Sequence, residues 1–317
     1  MEFLSDYGLF LLKSITLVIA ILLVTAGLLA LGRSKRPKLE VVSLNKEFNA
    51  LRRHMNHEIR DIKEKKPRQK KKDKLNSKDK PTLFVLDFHG DIKASQTESL
   101  REAVNAVLSV AGEDDEVLIR LESPGGVVNG YGLAASQLQR IRDKNITLTV
   151  AIDKMAASGG YLMACVANRI IAAPFAIIGS IGVVGQLPNF NRWLKKHNID
   201  FEMITAGEYK RTLTLFGENT EKGRQKFQED LEDIHQAFRD YVLQNRQQLD
   251  IDKVATGEHW LAKDAFELRL VDSLKTSDEY LMSKMEDYKV FKIASHHKPS
   301  LVDRILRPAA QLFYPFH

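Results

Sequence analysis

Short hydrophobic runs rich in β-branched residues alternate with amphipathic segments along most of the chain. Three such runs lie about 30 residues apart, at Leu83–Phe88, Val117–Leu121 and Ile146–Ile152. The segments between them, Thr97–Val110 and Val127–Lys144, have apolar residues at helical spacing. Strands separated by single helices are typical of βαβ units around a parallel sheet. The pattern therefore predicts an α/β fold.

Further segments continue this alternation. The apolar block 169–184 has the hydropathy of a membrane span, but its proline and glycines favour buried strands and turns. A short helix near Trp193–His197 and a strand at Asp200–Thr205 are predicted next. Residues 221–247 are predicted to form a long helix, because apolar residues recur every three or four positions. Such an apolar stripe is typical of core packing or of a contact between subunits.

The longest apolar run is Leu9–Leu31, near the N-terminus. Lys13 is its only charge, and its last 18 residues carry none. A helix of this length can span a bilayer core. A cleaved signal peptide is the alternative, but the run is longer than the apolar core of a usual signal peptide, and two acidic residues precede it. We therefore predict an uncleaved membrane anchor over residues 1–32.

Residues 33–80 differ in charge from the rest of the chain. They hold 18 Lys or Arg against 7 Asp or Glu, whereas the whole chain has a net charge of +6. So polar a segment cannot bury enough apolar surface to fold alone. We predict a basic, flexible tether that is partly helical around 44–62 and that can contact anionic membrane lipid. Because the excess charge is confined to this segment, nucleic-acid binding is not expected.

The remaining composition excludes two other classes of protein. A hydrophobic content of 44% and a charged content of 28% are ordinary for a globular core. The single cysteine, Cys165, cannot form an internal disulfide, and no Cys/His cluster has the spacing of a metal site. The sequence therefore predicts neither a disulfide scaffold nor a metal or other cofactor.

Three segments place small residues where a backbone must be approached closely: 121–128 (LESPGGVV), 154–164 (KMAASGGYLMA) and 206–213 (AGEYKRTL). The first follows a predicted strand and opens a helix, so its glycines can present N–H groups to an oxyanion or a phosphate. A tight turn without further function is the other interpretation.

Ser158 lies in the second segment, between a predicted strand and a helix. It has alanines before it and two glycines after it. A serine hydroxyl near the positive end of a helix, beside the next N–H group, has the environment that an acyl-transfer nucleophile requires. Capping the helix is the commoner role of an isolated serine at such a position, and the motif alone leaves both roles open.

A serine nucleophile needs a base to remove its proton. The nine histidines are poor candidates, because most lie in the tether, near the end of the chain or in the long helix. His89, His197 and His259 stay possible, but none lies in a small-residue turn. Lys210 follows a predicted strand end and an Ala-Gly pair. A lysine amine in an apolar pocket can be neutral and accept a proton. A solvated surface lysine is the alternative, because the sequence does not show burial.

The order of these motifs resembles the signal peptide peptidase A family of membrane-associated serine peptidases. Its motifs are Ser-Pro-Gly-Gly, then Met-Ala-Ala-Ser-Gly-Gly-Tyr about 30 residues later, then Gly-Ser-Ile-Gly-Val, then Ala-Gly-Glu-Tyr-Lys-Arg-Thr-Leu. The resemblance covers residues 1 to about 285. It implies a crotonase- and Clp protease-like superhelix of repeated βαβ units, with a peptidase domain at 81–285 and a tail at 286–317.

The resemblance also implies roles for single residues. Ser158 matches the family nucleophile, and Lys210 matches the general base of a Ser–Lys dyad. Gly126 and Gly159 match the backbone donors of the oxyanion hole, and Ser180 matches a hydroxyl that positions the lysine amine. Peptide or protein substrates, a bacterial inner membrane location and ring-like homo-oligomers are implied as well, without a cofactor.

Two other functions stay open at this point. Acyl-CoA hydratases and isomerases share the fold and its two N–H donors, but they use carboxylates instead of a Ser–Lys pair. An inactive membrane scaffold would keep the fold alone. The side of the membrane is also open, because four basic residues after the span favour a cytoplasmic body, whereas the resemblance implies a periplasmic one.

Overall fold

The computed structural model describes residues 8–21, 38–60 and 80–296. The chain divides into two compact units, residues 1–38 and 39–317. Residues 8–21, in the first unit, are helical. Within the described ranges, no helix is both long enough and apolar enough to cross a membrane. Residues 1–7 and 22–32 of the predicted anchor lie outside the described residues.

Strands and helices alternate through the second unit. The strands are β1 (Lys38–Ser43), β2 (Thr82–His89), β3 (Glu116–Glu122), β4 (Thr147–Ile152), β5 (Met155–Ala157), β6 (Arg169–Ala172), β7 (Ile177–Gly179), β8 (His259–Leu261), β9 (Ser273–Leu274) and β10 (Lys289–His296). The helices are α1 (Leu44–Arg60), α2 (Thr97–Leu108), α3 (Val128–Arg142), α4 (Gly159–Ala164), α5 (Asn191–Lys196), α6 (Glu221–Asn245), α7 (Ile251–Val254), α8 (Ala262–Glu267) and α9 (Ser277–Lys284).

Two sheets organise these elements. The larger has seven strands in the order β1-β10-β2-β3-β4-β6-β9, and its pairs from β10 to β9 are parallel. The smaller has the order β5-β7-β8, with β5 and β7 parallel and β7 and β8 antiparallel. The α/β fold predicted from the spacing of the apolar runs is confirmed. The block 169–184 forms β6 and β7 and not a membrane span.

Apolar residues on both faces of the larger sheet are buried. On β2, Phe84, Leu86 and Phe88 belong to the larger hydrophobic core. Leu83 and Val85 belong to a smaller core on the other face of the sheet. A strand buried on both faces has a continuous apolar run instead of an alternating one. This explains why β2, β3 and β4 are visible in the sequence.

The structure extends the folded unit beyond the boundaries predicted at 81 and 285. β1 and β10 are both strands of the larger sheet. Asn45, at the start of α1, accepts a hydrogen bond from the Val290 N–H at 2.7 Å and donates to the Met285 carbonyl at 3.0 Å. The predicted boundaries omit these strands because each pairs with a segment that is remote in the sequence. Residues 61–79 and 297–317 lie outside the described residues.

The strand predicted at Asp200–Thr205 is wrong. This segment has no regular structure, and all six of its side chains are exposed. The Phe201 ring instead packs against Phe216 with 5.7 Å between ring centroids.

Candidate active site

Ser158 connects β5 to α4 in a strained backbone conformation. Its φ is 53° and its ψ is −118°, a region that side chains other than glycine rarely adopt. The Ser158 N–H donates to the Gly179 carbonyl at 2.8 Å. Its hydroxyl makes no capping hydrogen bond to α4, although Ser158 occupies the N-cap position. A strained strand-to-helix turn with an uncapped hydroxyl favours a nucleophile over a helix cap.

The strain at Ser158 predicts an inverted order of stability. We expect Ser158→Gly to be more stable than Ser158→Ala, because this conformation costs a side chain of order 1–3 kcal/mol. Alanine normally exceeds glycine by roughly 0.5–1 kcal/mol in regular structure. Urea unfolding of both variants measures the difference. The same pair at Ser136, an exposed position in α3, should give the normal order, and the normal order at both positions would contradict the prediction.

The Ser-Pro-Gly-Gly turn contacts the turn that carries Ser158. The Ala157 N–H donates to the Ser123 carbonyl at 3.0 Å. A Cβ atom at Gly125, where φ is +89°, would lie 2.7 Å from the Ser158 Cβ and 2.8 Å from the Gly159 nitrogen. Gly159 is the first residue of α4, so its N–H has no partner inside the helix. Glycine at position 125 is therefore required for the two turns to touch.

The N–H group of Gly126 differs from those of its neighbours. The Gly125 N–H donates to the Ser123 Oγ at 3.0 Å, and the Val127 N–H donates to the Ile92 carbonyl at 2.8 Å. The Gly126 N–H donates to no acceptor among the described residues. A Cβ at Gly126 would lie 2.1 Å from the Ile92 carbonyl oxygen. This close approach explains the second glycine of the motif and leaves one N–H group available to a ligand.

Ser180 lies next to Ser158, directly after the ends of two paired strands of the smaller sheet. In the parallel pair β5–β7, Ala157 is opposite Gly179, so the residues that follow them are neighbours. Ser180 also has a φ of 53°, and its N–H donates to the Glu258 carbonyl at 2.6 Å. The structure therefore brings together four of the five site residues predicted from the sequence.

Lys210, the fifth, lies on an irregular exposed segment. Its side chain is exposed and makes no hydrogen bond or ion pair with the described residues. The segment is held against α6 by the Glu208–Lys222 ion pair, and the Lys222 ammonium also lowers the pKa of Glu208 through their hydrogen bond. In a single copy of the chain, the apolar pocket expected around Lys210 is not formed.

Sequence reasoning missed Tyr131, which lies beneath these turns. Tyr131 is fully buried, and a Cβ at Gly159 would lie 2.4 Å from its ring. Its hydroxyl is 2.6 Å from the Ser123 Oγ, and burial raises the pKa of Tyr131. The signal available in the sequence is a single tyrosine between two glycines in a small-residue stretch, which local pattern alone does not distinguish from core.

The chain is similar to known peptidases. The chain matches the family models "Peptidase family S49 N-terminal" over residues 2–138 and "Peptidase family S49" over residues 140–291. A Haemophilus influenzae relative, "Probable protease SohB", is 48% identical over 98% of this chain and 94% of its own length. The chain belongs to peptidase family S49.

The chain also has more distant similarities. "Protease 4" of Haemophilus influenzae is 27% identical over 62% of this chain and 33% of its own length. A solved structure of a "1510-N membrane-bound stomatin-specific protease" covers 74% of this chain and 99% of its own, with 13% identity and a TM-score of 0.45. The S49 family is the peptidase family that the order of the sequence motifs indicated, so that resemblance is confirmed.

Proposed function

We propose that this S49 protein is a serine endopeptidase that acts through a Ser–Lys dyad. The observation that carries the proposal is the place of Ser158, on a strained turn beside the N–H groups of Gly126 and Gly159. An acyl-transfer enzyme needs a nucleophile next to donors that stabilise a developing oxyanion. Membership of a peptidase family supports a peptide carbonyl as the group attacked.

The proposed reaction follows from these groups. The neutral Lys210 amine takes the Ser158 hydroxyl proton, and the Ser158 Oγ attacks the peptide carbonyl. The N–H groups of Gly126 and Gly159 stabilise the tetrahedral oxyanion, a contribution of about 10²- to 10³-fold in turnover for one donor. The protonated Lys210 gives its proton to the leaving amine, and water then hydrolyses the acyl-enzyme. Ser180 positions the lysine amine.

Assembly with further copies of the chain is part of the proposal. The segment 183–220, which carries Lys210, exposes many large apolar side chains: Val184, Leu187, Phe190, Trp193, Ile199, Phe201, Met203, Ile204, Tyr209, Leu215 and Phe216. Monomeric soluble proteins rarely expose so much apolar surface in one place. Burial of this segment against another copy would remove water from Lys210 and favour the neutral amine that the reaction requires.

The proposed location is a bacterial inner membrane, with residues 1–32 as a single-pass anchor and the basic segment beside anionic lipid. The apolar run Leu9–Leu31 supports the anchor. Signal peptides or other membrane-associated or unfolded peptides are the proposed substrates, and the crotonase- and Clp protease-like superhelix is the proposed arrangement of the βαβ units. A tag-accessibility measurement on each side of the membrane decides between a periplasmic and a cytoplasmic body.

Covalent labelling tests the proposed function. We expect a fluorophosphonate to label the full chain at Ser158, because only an activated serine reacts with it. Ser158→Ala should remain unlabelled. Exposed Ser136, whose hydroxyl donates to the Gly132 carbonyl at 2.9 Å, is the internal control and should stay unmodified. Turnover of an enoyl-CoA without labelling would instead show an acyl-CoA enzyme. If neither labelling nor enoyl-CoA turnover occurred, the protein would be an inactive scaffold.

A further inference from the structure

A chain of buried hydroxyl groups begins at the Ser-Pro-Gly-Gly turn and leads away from it. The Gly125 N–H donates to the Ser123 Oγ at 3.0 Å, and the Ser123 Oγ lies 2.6 Å from the Tyr131 Oη. The Tyr131 Oη donates to the Asp91 carbonyl at 2.8 Å. Ser123 and Tyr131 are both fully buried. Neither side chain has a role in the proposed reaction itself.

The donor and acceptor of each of these hydrogen bonds follow by elimination. A carbonyl oxygen can only accept, so the single Tyr131 proton is given to Asp91. The Ser123 hydroxyl must then donate to the Tyr131 Oη, and it accepts from the Gly125 N–H. All three hydrogen bonds run in one direction, an arrangement in which each bond strengthens the next. The Gly125 nitrogen, one residue before the Gly126 N–H, is thereby held in place.

The same two side chains also support the other oxyanion donor. The Tyr131 ring lies against Gly159, where a Cβ atom would approach it to 2.4 Å. A Cβ at Gly160 would lie 2.8 Å from the Ser123 carbonyl oxygen and 3.1 Å from the Ser123 Cβ. The Tyr131 ring therefore contacts the start of α4, and the Tyr131 hydroxyl reaches the glycine turn through Ser123.

Close packing surrounds this pair of side chains. A Cβ at Gly90 would lie 2.3 Å from both the Ser123 Oγ and the Tyr131 Oη. The Tyr131 ring packs edge-on against Phe88 with 6.4 Å between ring centroids. Rigid support is what an oxyanion hole needs, because preorganised donors do not have to reorient during the reaction.

From these contacts we infer that Tyr131 and Ser123 are positioning residues that hold the N–H groups of Gly126 and Gly159 at the separation an oxyanion requires. This inference rests on the proposed function. Removing the Tyr131 hydroxyl leaves the Ser123 O–H buried without an acceptor, and such a group costs roughly 1–3 kcal/mol unless the turn shifts. A shift of the turn moves the Gly126 N–H away from the oxyanion.

Kinetics of Tyr131→Phe and Ser123→Ala test the inference. We expect kcat for peptide hydrolysis to fall by about 10- to 100-fold, the scale of a 1 Å misplacement, with KM changed less than about twofold. Binding of a peptide boronic acid, which forms a tetrahedral adduct on Ser158, should weaken by the same factor as kcat falls. The double variant should lose no more than the worse single variant, because both belong to one hydrogen-bond chain.

Tyr161→Phe is the matched control. Tyr161 is also fully buried, lies in α4, and donates its hydroxyl to the Leu270 carbonyl at 2.9 Å, but it has no bond to the glycine turn. It should lose stability like Tyr131→Phe and keep kcat and boronic acid affinity. The inference would be wrong if Tyr131→Phe matched this control in both kcat and boronic acid affinity. The proposed function would still stand if the wild type hydrolysed peptides and was labelled at Ser158.

Hydrogen exchange decides the inference even without hydrolysis. If the wild type cleaves no peptide, the proposed function fails, but the Gly125 N–H is still predicted to exchange slowly. Exchange over residues 123–127 should accelerate in Tyr131→Phe and in Ser123→Ala, and not in Tyr161→Phe. Unchanged exchange in both test variants would overturn the positioning role.

Discussion

Replacing Ser158 with alanine is expected to lower kcat for peptide hydrolysis by roughly 10³-fold or more. The variant loses the oxygen that attacks the carbonyl, so only the N–H donors and substrate binding remain to accelerate the reaction. We expect the fold to be kept, because the Ser158 hydroxyl makes no hydrogen bond with the described residues. Initial rates with a quenched fluorescent peptide measure the loss, and urea unfolding checks the fold.

The matched control for this variant is Ser136→Ala, an exposed serine in α3, which should retain wild-type rates. A Ser158→Ala protein that keeps a tenth of wild-type turnover, after removal of contaminating peptidases, would exclude Ser158 as the nucleophile. Loss of activity together with unfolding would point to a structural role, which the comparison of Ser158→Ala with Ser158→Gly would then reveal.

Lys210→Ala and Lys210→Arg are expected to be equally inactive, with kcat reduced by about 10²- to 10⁴-fold, the usual contribution of a general base. Arginine keeps the positive charge but remains protonated at any working pH, so it cannot accept the serine proton. Retained activity in the arginine variant would show that position 210 supplies charge and not a base. Steady-state rates across the neutral and mildly alkaline range make the comparison.

Lys275 provides the control for these variants. It is an exposed lysine between β9 and α9, outside the segment 183–220, and its ammonium lies 4.0 Å from Glu279. Lys275→Ala and Lys275→Arg should both keep wild-type kcat.

Mixing inactive Ser158→Ala with inactive Lys210→Ala then tests how the dyad is formed. Recovered activity would show a dyad completed between subunits, and a mixture that stays inactive would show that each dyad lies within one chain.

Elements with strong local patterns could be predicted from the sequence. The run Leu83–Phe88 lies within β2, and the helix predicted at 221–247 is α6. These predictions succeed because burial on both faces of a strand leaves a continuous apolar run, and burial on one face of a long helix leaves a periodic one. Asp200–Thr205 has a strand-like pattern, but it forms no strand and its side chains are all exposed.

Part of the candidate site could also be predicted from short sequence motifs. Ser158, Ser180 and Gly126 lie on tight turns that require small residues, so a motif can place them. The position of Lys210 depends on how an exposed segment is covered, and a single sequence holds no pattern for that. Tyr131 contacts Gly159, which lies 28 positions later in the sequence, and only three-dimensional packing shows that contact.

The pairing of β1 with β10 has a consequence for synthesis of the protein. The bond from the Val290 N–H to Asn45 joins residues 245 positions apart, and β10 lies between β1 and β2 in the sheet. A nascent chain therefore leaves the ribosome with β1 unpaired and one edge of β2 open until its last described strand emerges. Open strand edges promote association between chains, and distant contacts form slowly. Translation thus imposes a vulnerable interval that ends only when β10 joins the sheet.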